Sequence, residues 1–285
     1  MANLKEIRNR ISSVSSTMQI TSAMKMVSAA KLKKAQDAIT AMRPYADKLT
    51  ELLQNLSATL DADSGSKFAD QREVKNVLIV AITSNRGLCG AFNSNIIKQA
   101  NYLANSYAEK KVSVVAIGKK ANDALSKDYE ILANESTVFE DLTFDNVAQI
   151  AELLMEKFED GSIDKIELVY NKFKNAATQI VTTEQFLPIV SSAEGANANQ
   201  DYIFEPSKVE IVETLIPKSL KTQLFKAIRD SFASEHGARM TAMHKATDNA
   251  TELRDQLKLT YNKARQAAIT NEILEIVGGA EALNN

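Results

Sequence analysis

At 285 residues, with 45% hydrophobic and 25% charged side chains, the chain has enough apolar material for one sizeable core or for a domain plus an extended element. A formal net charge of -2 gives no overall attraction to nucleic acid or anionic lipid, so electrostatic recognition has to come from local patches. The single cysteine, Cys89, excludes an intramolecular disulfide and a cysteine-based metal cluster, and suits a reducing compartment.

Met1 to Asn9 carries Lys5, Glu6 and Arg8 and lacks the apolar run of a secretory signal, so no export address is expected. From Met1 to Leu60 there is no glycine and one proline, Pro44, which predicts a long helix with a local disturbance at the proline. Leu4, Ile7, Ile11, Val14 and Met18 recur in three- and four-residue steps. The same register picks up Leu32, Ala35, Ile39, Met42, Ala46, Leu49, Leu53 and Leu56, a coiled-coil seam. Between those stretches the seam positions are polar, Thr21, Lys25 and Ser28, while Ile20, Met24 and Val27 carry apolar character off the seam. A change of contact is expected there.

Asp61 to Lys67 is polar and turn-forming and ends the helix. Val77 to Thr83 reads as a buried strand, Asn93 to Lys110 as a helix and Val112 to Ile117 as a second strand. Val77 to Ile82, the most apolar run, falls far short of the roughly 20 residues that a membrane-spanning helix needs. Lys119 to Ser126 and Phe144 to Glu159 are further helices, and Lys165 to Tyr170 and Gln179 to Pro188 further strands. The alternation predicts a small, mostly parallel sheet with helices on its faces. Ser191 to Asn199 reads as a mobile loop, and Pro206 and Pro217 punctuate the stretch after it. Lys218 to Val277 then resumes a helix that Gly278 and Gly279 should end. Met243, Ala246, Ala250, Leu253, Leu257, Ala264, Ala267 and Leu274 continue a heptad-like seam.

The chain thus divides into an N-terminal coiled-coil helix (1–60), a central α/β domain (61–208) and a C-terminal coiled-coil helix (209–285). The predicted fold is α/β with long helices: an antiparallel coiled coil of the N- and C-terminal helices protruding from a small Rossmann-like α/β domain. Sixty helical residues extend roughly 90 Å.

The one enzyme-like signal is Ser84-Asn85-Arg86-Gly87-Leu88-Cys89-Gly90, placed after a strand and before a helix. It lacks the Gly-Lys-Ser/Thr ending of a P-loop and the glycine spacing of a dinucleotide fingerprint, and reads as a tight turn that needs glycine. His236 and His244 stand two helical turns apart, too far to chelate one ion together. No serine sits on a strained elbow that could serve them. Asp141 and Asp145, near a helix entry, read as acids that cap a helix or solvate the surface. Met18, Met24, Met26, Met42, Met240 and Met243 mostly fill the seam, although Met24 and Met26 flank the polar position Lys25. Lys31, Lys33 and Lys34 are either a solvated face or a match for acidic loops on a partner. Ile269, Ile273, Leu274, Ile276 and Val277 make an apolar arc wider than one seam partner covers, as an exposed tip entering an enclosing partner would. No catalytic, cofactor-binding or metal-binding residue is expected.

Several segments resemble the gamma-subunit family of F-type ATP synthases. They are Ile20-Thr21-Ser22-Ala23-Met24-Lys25-Met26-Val27, Arg43-Pro44-Tyr45, Thr83 to Gly90, Ala246-Thr247-Asp248-Asn249-Ala250, Tyr261 to Ala267, Ile269 to Ile273 and Glu275 to Ala280. The resemblance covers both ends and the middle of the chain, in order. It implies a rotary shaft in a ring of alternating alpha and beta subunits, one copy per complex, with the α/β domain near the membrane c-subunit ring beside the epsilon subunit. It further implies beta-subunit contacts at Met24, Lys25, Arg265, Gln266 and Thr270, with Met24 and Lys25 opposite the other three. A bearing tip at Ile269, Ile273, Ile276 and Val277 and a ring and epsilon contact at Tyr202, Phe204 and Glu205 are also implied. The central region lacks the cysteine-bearing insertion of chloroplast members, and a bacterial chain at the cytoplasmic face of the cell membrane, held peripherally, is expected. The alternatives from the residues alone are a static coiled-coil adaptor, which leaves the apolar tip without a reason, and a small-molecule enzyme, which leaves both long helices unexplained.

Overall fold

The computed structural model describes residues 4–58, 67–68, 71–189 and 208–284. In chain order they form α1 (Leu4–Ala58), β1 (Asn76–Ile82), α2 (Phe92–Ser106), β2 (Lys111–Ile117), α3 (Lys119–Leu125), β3 (Glu130–Asn134), a 3-10 turn (Ser136–Phe139), α4 (Phe144–Glu159), β4 (Lys165–Phe173), β5 (Gln179–Leu187) and α5 (Lys208–Asn284). They divide into two compact units. One is Met1–Ser28 with Met240–Asn285, purely helical; the other is Ala29–Arg239, which holds the sheet.

In the sheet unit the strand order is β3-β2-β1-β4-β5. All neighbours pair in parallel except β4 and β5, which are antiparallel. This is the strand order of half a doubly wound fold with an antiparallel strand added at one edge. β1 is central, and Val77 to Ile82 are wholly buried, which is why they read as an unbroken apolar run. Ile79, Ala81, Val114, Ala116 and Val169 face α2 and α3, meeting Ile96, Ala100, Ala121 and Leu125. Leu78, Val80, Ile82, Leu168 and Tyr170 face the other way, onto Ile150, Leu154 and Phe158 of α4 and Leu220, Leu224 and Ile228 of α5. Helices on both faces satisfy the two-sided burial that a parallel sheet demands.

β3 escaped the sequence reading: it is a five-residue edge strand whose alternate side chains are solvated, so it offers neither an apolar run nor sufficient length. α2 stops at Ser106, four residues before the expected end. Thr143 caps α4 by accepting from the Asn146 backbone N–H at 3.4 Å, and Asp145 lies in that helix's first turn. The Asp141 carbonyl accepts from Asn146 Nδ2 at 2.8 Å, so the cap itself is Thr143, and of the two acids Asp145 adds a favourable charge to the first turn while Asp141 precedes the helix.

α1 continues through Pro44, as the expectation of one long helix had it, with the proline on the exposed side. Departures from expectation fall in α5. α5 starts at Lys208, ten residues early, and takes Pro217 inside it. At its far end it runs through Gly278 and Gly279 to Asn284 in place of a left-handed cap. Two glycines cost about 1 kcal/mol each, and the strong helix formers Ala280, Ala282 and Leu283 come after them. The side chains of Leu53 and Leu56, most of the 61–67 linker, the loop 191–199 and Pro206 lie outside the described residues.

Both helices show their seams. In α1, Ile7, Thr21, Ser28, Leu32, Ala35, Ile39, Ala46 and Leu49 are buried, polar positions included, whereas Ile20 and Val27 are exposed as the spacing predicted. In α5 the seam follows Met243, Ala246, Ala250, Leu257 and Ala264, with a break at Leu253. Leu253 is 47% exposed, and Arg254 takes the more buried place.

His236 of the sheet unit is buried, edge-on to Phe232 with centroids 4.5 Å apart, and neither ring nitrogen has a hydrogen-bond partner among the described residues. Burial first, then the positive charges of Arg239 and Lys31, push its pKa down to about 4 from an ordinary 6.5. Between those values the unfolded chain binds a proton that the folded chain refuses, so this contribution to stability is whole above the ordinary value and shrinks as pH falls through the window. From roughly pH 7 to pH 5 the wild-type chain should lose about 2 kcal/mol more than a His236→Leu variant in urea titrations. Of the two histidine resonances in NMR, one should titrate near pH 4.

Candidate functional site

The turn after β1 stands where parallel sheets commonly take phosphate, at the reversal of strand order between β1 and β4. Here its polar groups are spent on the fold. Ser84 N–H donates to Asn93 Oδ1 at 2.9 Å, Asn85 Nδ2 donates to the Ser136 carbonyl at 2.8 Å, and Asn85 Oδ1 accepts from Lys119 N–H at 2.9 Å. Leu88 and Gly90 adopt left-handed φ values of 62° and 60°, a conformation that favours glycine at position 90 and that Leu88 holds under strain. On the outside of the turn, Arg239 of α5 donates to the Arg86 and Gly87 carbonyls, each at 3.3 Å, while its other nitrogen holds Glu235 at 2.6 Å. Burial pushes the Glu235 carboxyl above the usual range, and Arg239 opposes that shift. Cys89 is buried beneath the turn, and burial raises its thiol pKa, which makes it an inert packing residue. The turn is therefore a docking joint between β1 and α5.

The helical unit carries the other candidates. Its two helices run antiparallel: Arg8 Nη2 donates to Tyr261 Oη at 2.9 Å, Arg254 Nη1 reaches Met18 Sδ at 3.4 Å, and Thr21 and Thr247 share a hydroxyl hydrogen bond of 2.8 Å. Further along, Lys25 Nζ lies 3.4 Å from His244 Nδ1, which is also 3.4 Å from Asp248 Oδ2. Thr21 and Lys25 of the seam thus face polar partners on α5, whereas Ser28 Oγ donates to the Met24 carbonyl of its own helix at 2.8 Å. Where the α5 seam shifts, a shallow groove of about 310 Å³ opens between Glu6, Arg10 and Val14 on one side and Leu253 and Leu257 on the other.

This register separates residues that the sequence reading placed opposite one another. Met24 and Lys25 are half-buried beside His244, whereas Arg265, Gln266 and Thr270 lie roughly 20 residues further along α5, about 30 Å at 1.5 Å per residue. They form two patches. α1 begins near Tyr261, so from Arg265 to Ala280 every α5 residue is exposed, Ala267 and Leu274 of the expected seam among them. Ile269, Ile273, Ile276 and Val277 are 49%, 54%, 67% and 51% exposed. Gln266, Thr270, Ile273 and Val277 fall at three- and four-residue steps along one helical stripe, so the polar residues lead into the apolar tip. Thr270 Oγ1 donates to the Gln266 carbonyl at 2.9 Å. Tyr202, Phe204 and Glu205 lie outside the described residues.

Sequence reasoning did not single out Asp230, Glu235 or Arg239, all buried on α5. The available signal was a run of charges continuing the Leu220, Leu224, Ala227, Ile228 core stripe. Arg239→Met should destabilise the sheet unit by about 3 kcal/mol, because Glu235 is left buried and unpaired. The Glu235→Leu/Arg239→Met double variant should recover most of that loss in urea denaturation.

The ATP synthase family model matches residues 3–283. The ATP synthase gamma chain of Flavobacterium psychrophilum is 76% identical over 99% of both chains, and that of Flavobacterium johnsoniae 75% identical over the full length of both. Among solved structures, a chain of the Euglena gracilis mitochondrial ATP synthase (OSCP/F1/c-ring, rotational state 3) is similar with a TM-score of 0.70 and 25% identity, over 98% of this chain and 94% of that one. A chain of the Tetrahymena thermophila mitochondrial ATP synthase central stalk/c-ring is similar with a TM-score of 0.59 and 26% identity, over 80% of this chain and 99% of that one. Two helices framing a small mixed sheet, matched along nearly their whole length, leave one assignment: the chain belongs to the ATP synthase gamma-chain family, the non-catalytic rotor subunits of that enzyme.

Proposed function

We propose that this chain is the central shaft of a bacterial F-type ATP synthase, present once per complex, coupling ion flow through the membrane c-subunit ring to ATP synthesis and hydrolysis at the catalytic beta subunits. The observation that carries the reading is the α5 segment from Arg265 to Ala280, exposed at every residue yet rich in isoleucine, leucine and valine. A helix with so wide an apolar surface calls for an enclosing partner, and a ring of alpha and beta subunits supplies one. Ile269, Ile273, Ile276 and Val277 act there as the bearing tip. Arg265, Gln266 and Thr270 contact the beta subunits at one level and Met24 and Lys25 at another, consistent with the two patches. Tyr202, Phe204 and Glu205 meet the ring and the epsilon subunit. No helix among the described residues is long and apolar enough to cross a membrane, which agrees with peripheral attachment at the cytoplasmic face through other subunits.

The mechanism is asymmetry. Two unlike antiparallel helices that narrow to one present a different surface to each of three chemically identical sites, and each site's conformational equilibrium responds only to the contact energy that differs between its states. Driving a site from almost wholly one state to almost wholly the other takes about 5.5 kcal/mol. A handful of charged and apolar contacts is of that order. A static adaptor has no need of an uncovered apolar tip.

Purified chain mixed with alpha and beta subunits should assemble as one copy per hexamer and make hydrolysis depend on its presence. Removing residues 265–285 should leave assembly measurable and lower turnover. Arg265→Ala with Gln266→Ala should lower turnover roughly tenfold, the equivalent of about 1.4 kcal/mol. Absence of association with folded alpha and beta subunits would overturn the reading.

A further inference from the structure

Within the sheet unit, α5 meets the end of β4 along one stripe of polar and small residues. Asp230, Ser234 and Gly237 recur at steps of four and three, the spacing of a single helix face. Ser234 Oγ donates to the Asn171 carbonyl at 2.9 Å. A Cβ on Gly237 would lie 2.9 Å from the Ala176 carbonyl oxygen, so the helix backbone itself is seated against the β4–β5 connection. Asp230, at the other end of the stripe, is completely buried, and Arg43 of α1 reaches it: Nη2 is 3.2 Å from Asp230 Oδ1 and 3.1 Å from the Phe173 carbonyl oxygen. One guanidinium thereby ties α1, α5 and β4 together.

Stability does not account for this arrangement. Asp230 Oδ2 has no hydrogen-bond partner among the described residues, and Asp230 is wholly buried while its partner Arg43 is 41% exposed, so the pair offsets the carboxylate's loss of water only in part. The neighbouring α1 seam, Ala35, Ile39, Ala46 and Leu49, is apolar, so it fixes which face of α1 is buried but supplies no bond of defined direction. Arg43 Nη2, donating at once to the Asp230 carboxylate and the Phe173 carbonyl, adds that direction.

We propose that Arg43 and Asp230 are positioning residues that lock the rotational setting of α1 against α5 and the sheet, so that torque carried by the helices is transferred to the α/β unit without slip. The proposal rests on the shaft reading, and the two fail differently. Breaking the lock uncouples the machine while leaving the hydrolytic sites, which Arg43 and Asp230 do not touch, able to turn over.

The test uses the whole complex in liposomes, with ATP hydrolysis and ATP-driven ion uptake measured on the same vesicles. The Arg43→Met/Asp230→Leu double variant replaces the pair with apolar packing. It should assemble and hydrolyse ATP near the wild-type rate, with ion uptake per ATP reduced several-fold. If the pair were only a packing element, the apolar replacement would restore coupling along with stability, and a wild-type uptake ratio overturns the proposal. Arg43→Ala removes the contacts to the Asp230 carboxylate and the Phe173 carbonyl together, and should also lower the ratio. Should the double variant fail to assemble, Arg43→Ala decides alone, a wild-type ratio there overturning the lock. Failure of the unsubstituted chain to assemble would instead count against the shaft.

Discussion

A long amphipathic helix needs its apolar stripe covered, and in this chain the covering helix is shorter than the helix it covers. α5 has 77 residues and α1 has 55. With Arg8 set against Tyr261 and Thr21 against Thr247, the antiparallel register exhausts α1 just where the most apolar stretch of α5 begins. The uncovered tip arises from that register, and what it offers is exposed hydrocarbon, whose attraction is non-directional.

The two units solve different problems with the same pair of helices. In the helical unit the seam mixes apolar residues with Thr21, Lys25 and Ser28, of which Thr21 and Lys25 reach polar partners on α5 and Ser28 bonds to its own helix. In the sheet unit α5 is seated on a core that includes Leu220, Leu224 and Ile228 and keyed by Asp230, Ser234 and Arg239 into β4 and the β1–α2 turn. Apolar burial supplies cohesion there, and the buried polar groups supply direction. The division fits a rotor that must adapt at one place and stay rigid at another.

The α/β unit has the architecture of a nucleotide-binding fold with its usual ligand crevice turned to structural use. The turn at the switch point hands two carbonyls to Arg239, and its asparagines and serine bond to α2, α3 and the 3-10 turn. Fold and function separate here in the ordinary way: the scaffold is common to many enzymes, and the site decides what it does.

Much of this was legible in the amino-acid sequence because it depends on local periodicity. The α1 seam, polar positions included, the apolar run of β1 and the acid in the first turn of α4 are all set by residues within a few turns of one another. The sequence also determined that the tip would be apolar, and its motifs identified the family. Tertiary structure alone decided which residues face each other. The α5 seam leaves Leu253 for Arg254, and Lys25 meets His244 some 30 Å from Arg265, because register is a property of two helices together and neither sequence holds it. The solvated edge strand β3, the antiparallel β5 and the Arg43–Asp230 junction were settled in the same way, by partners distant along the chain or by the edge of a sheet that no local window contains.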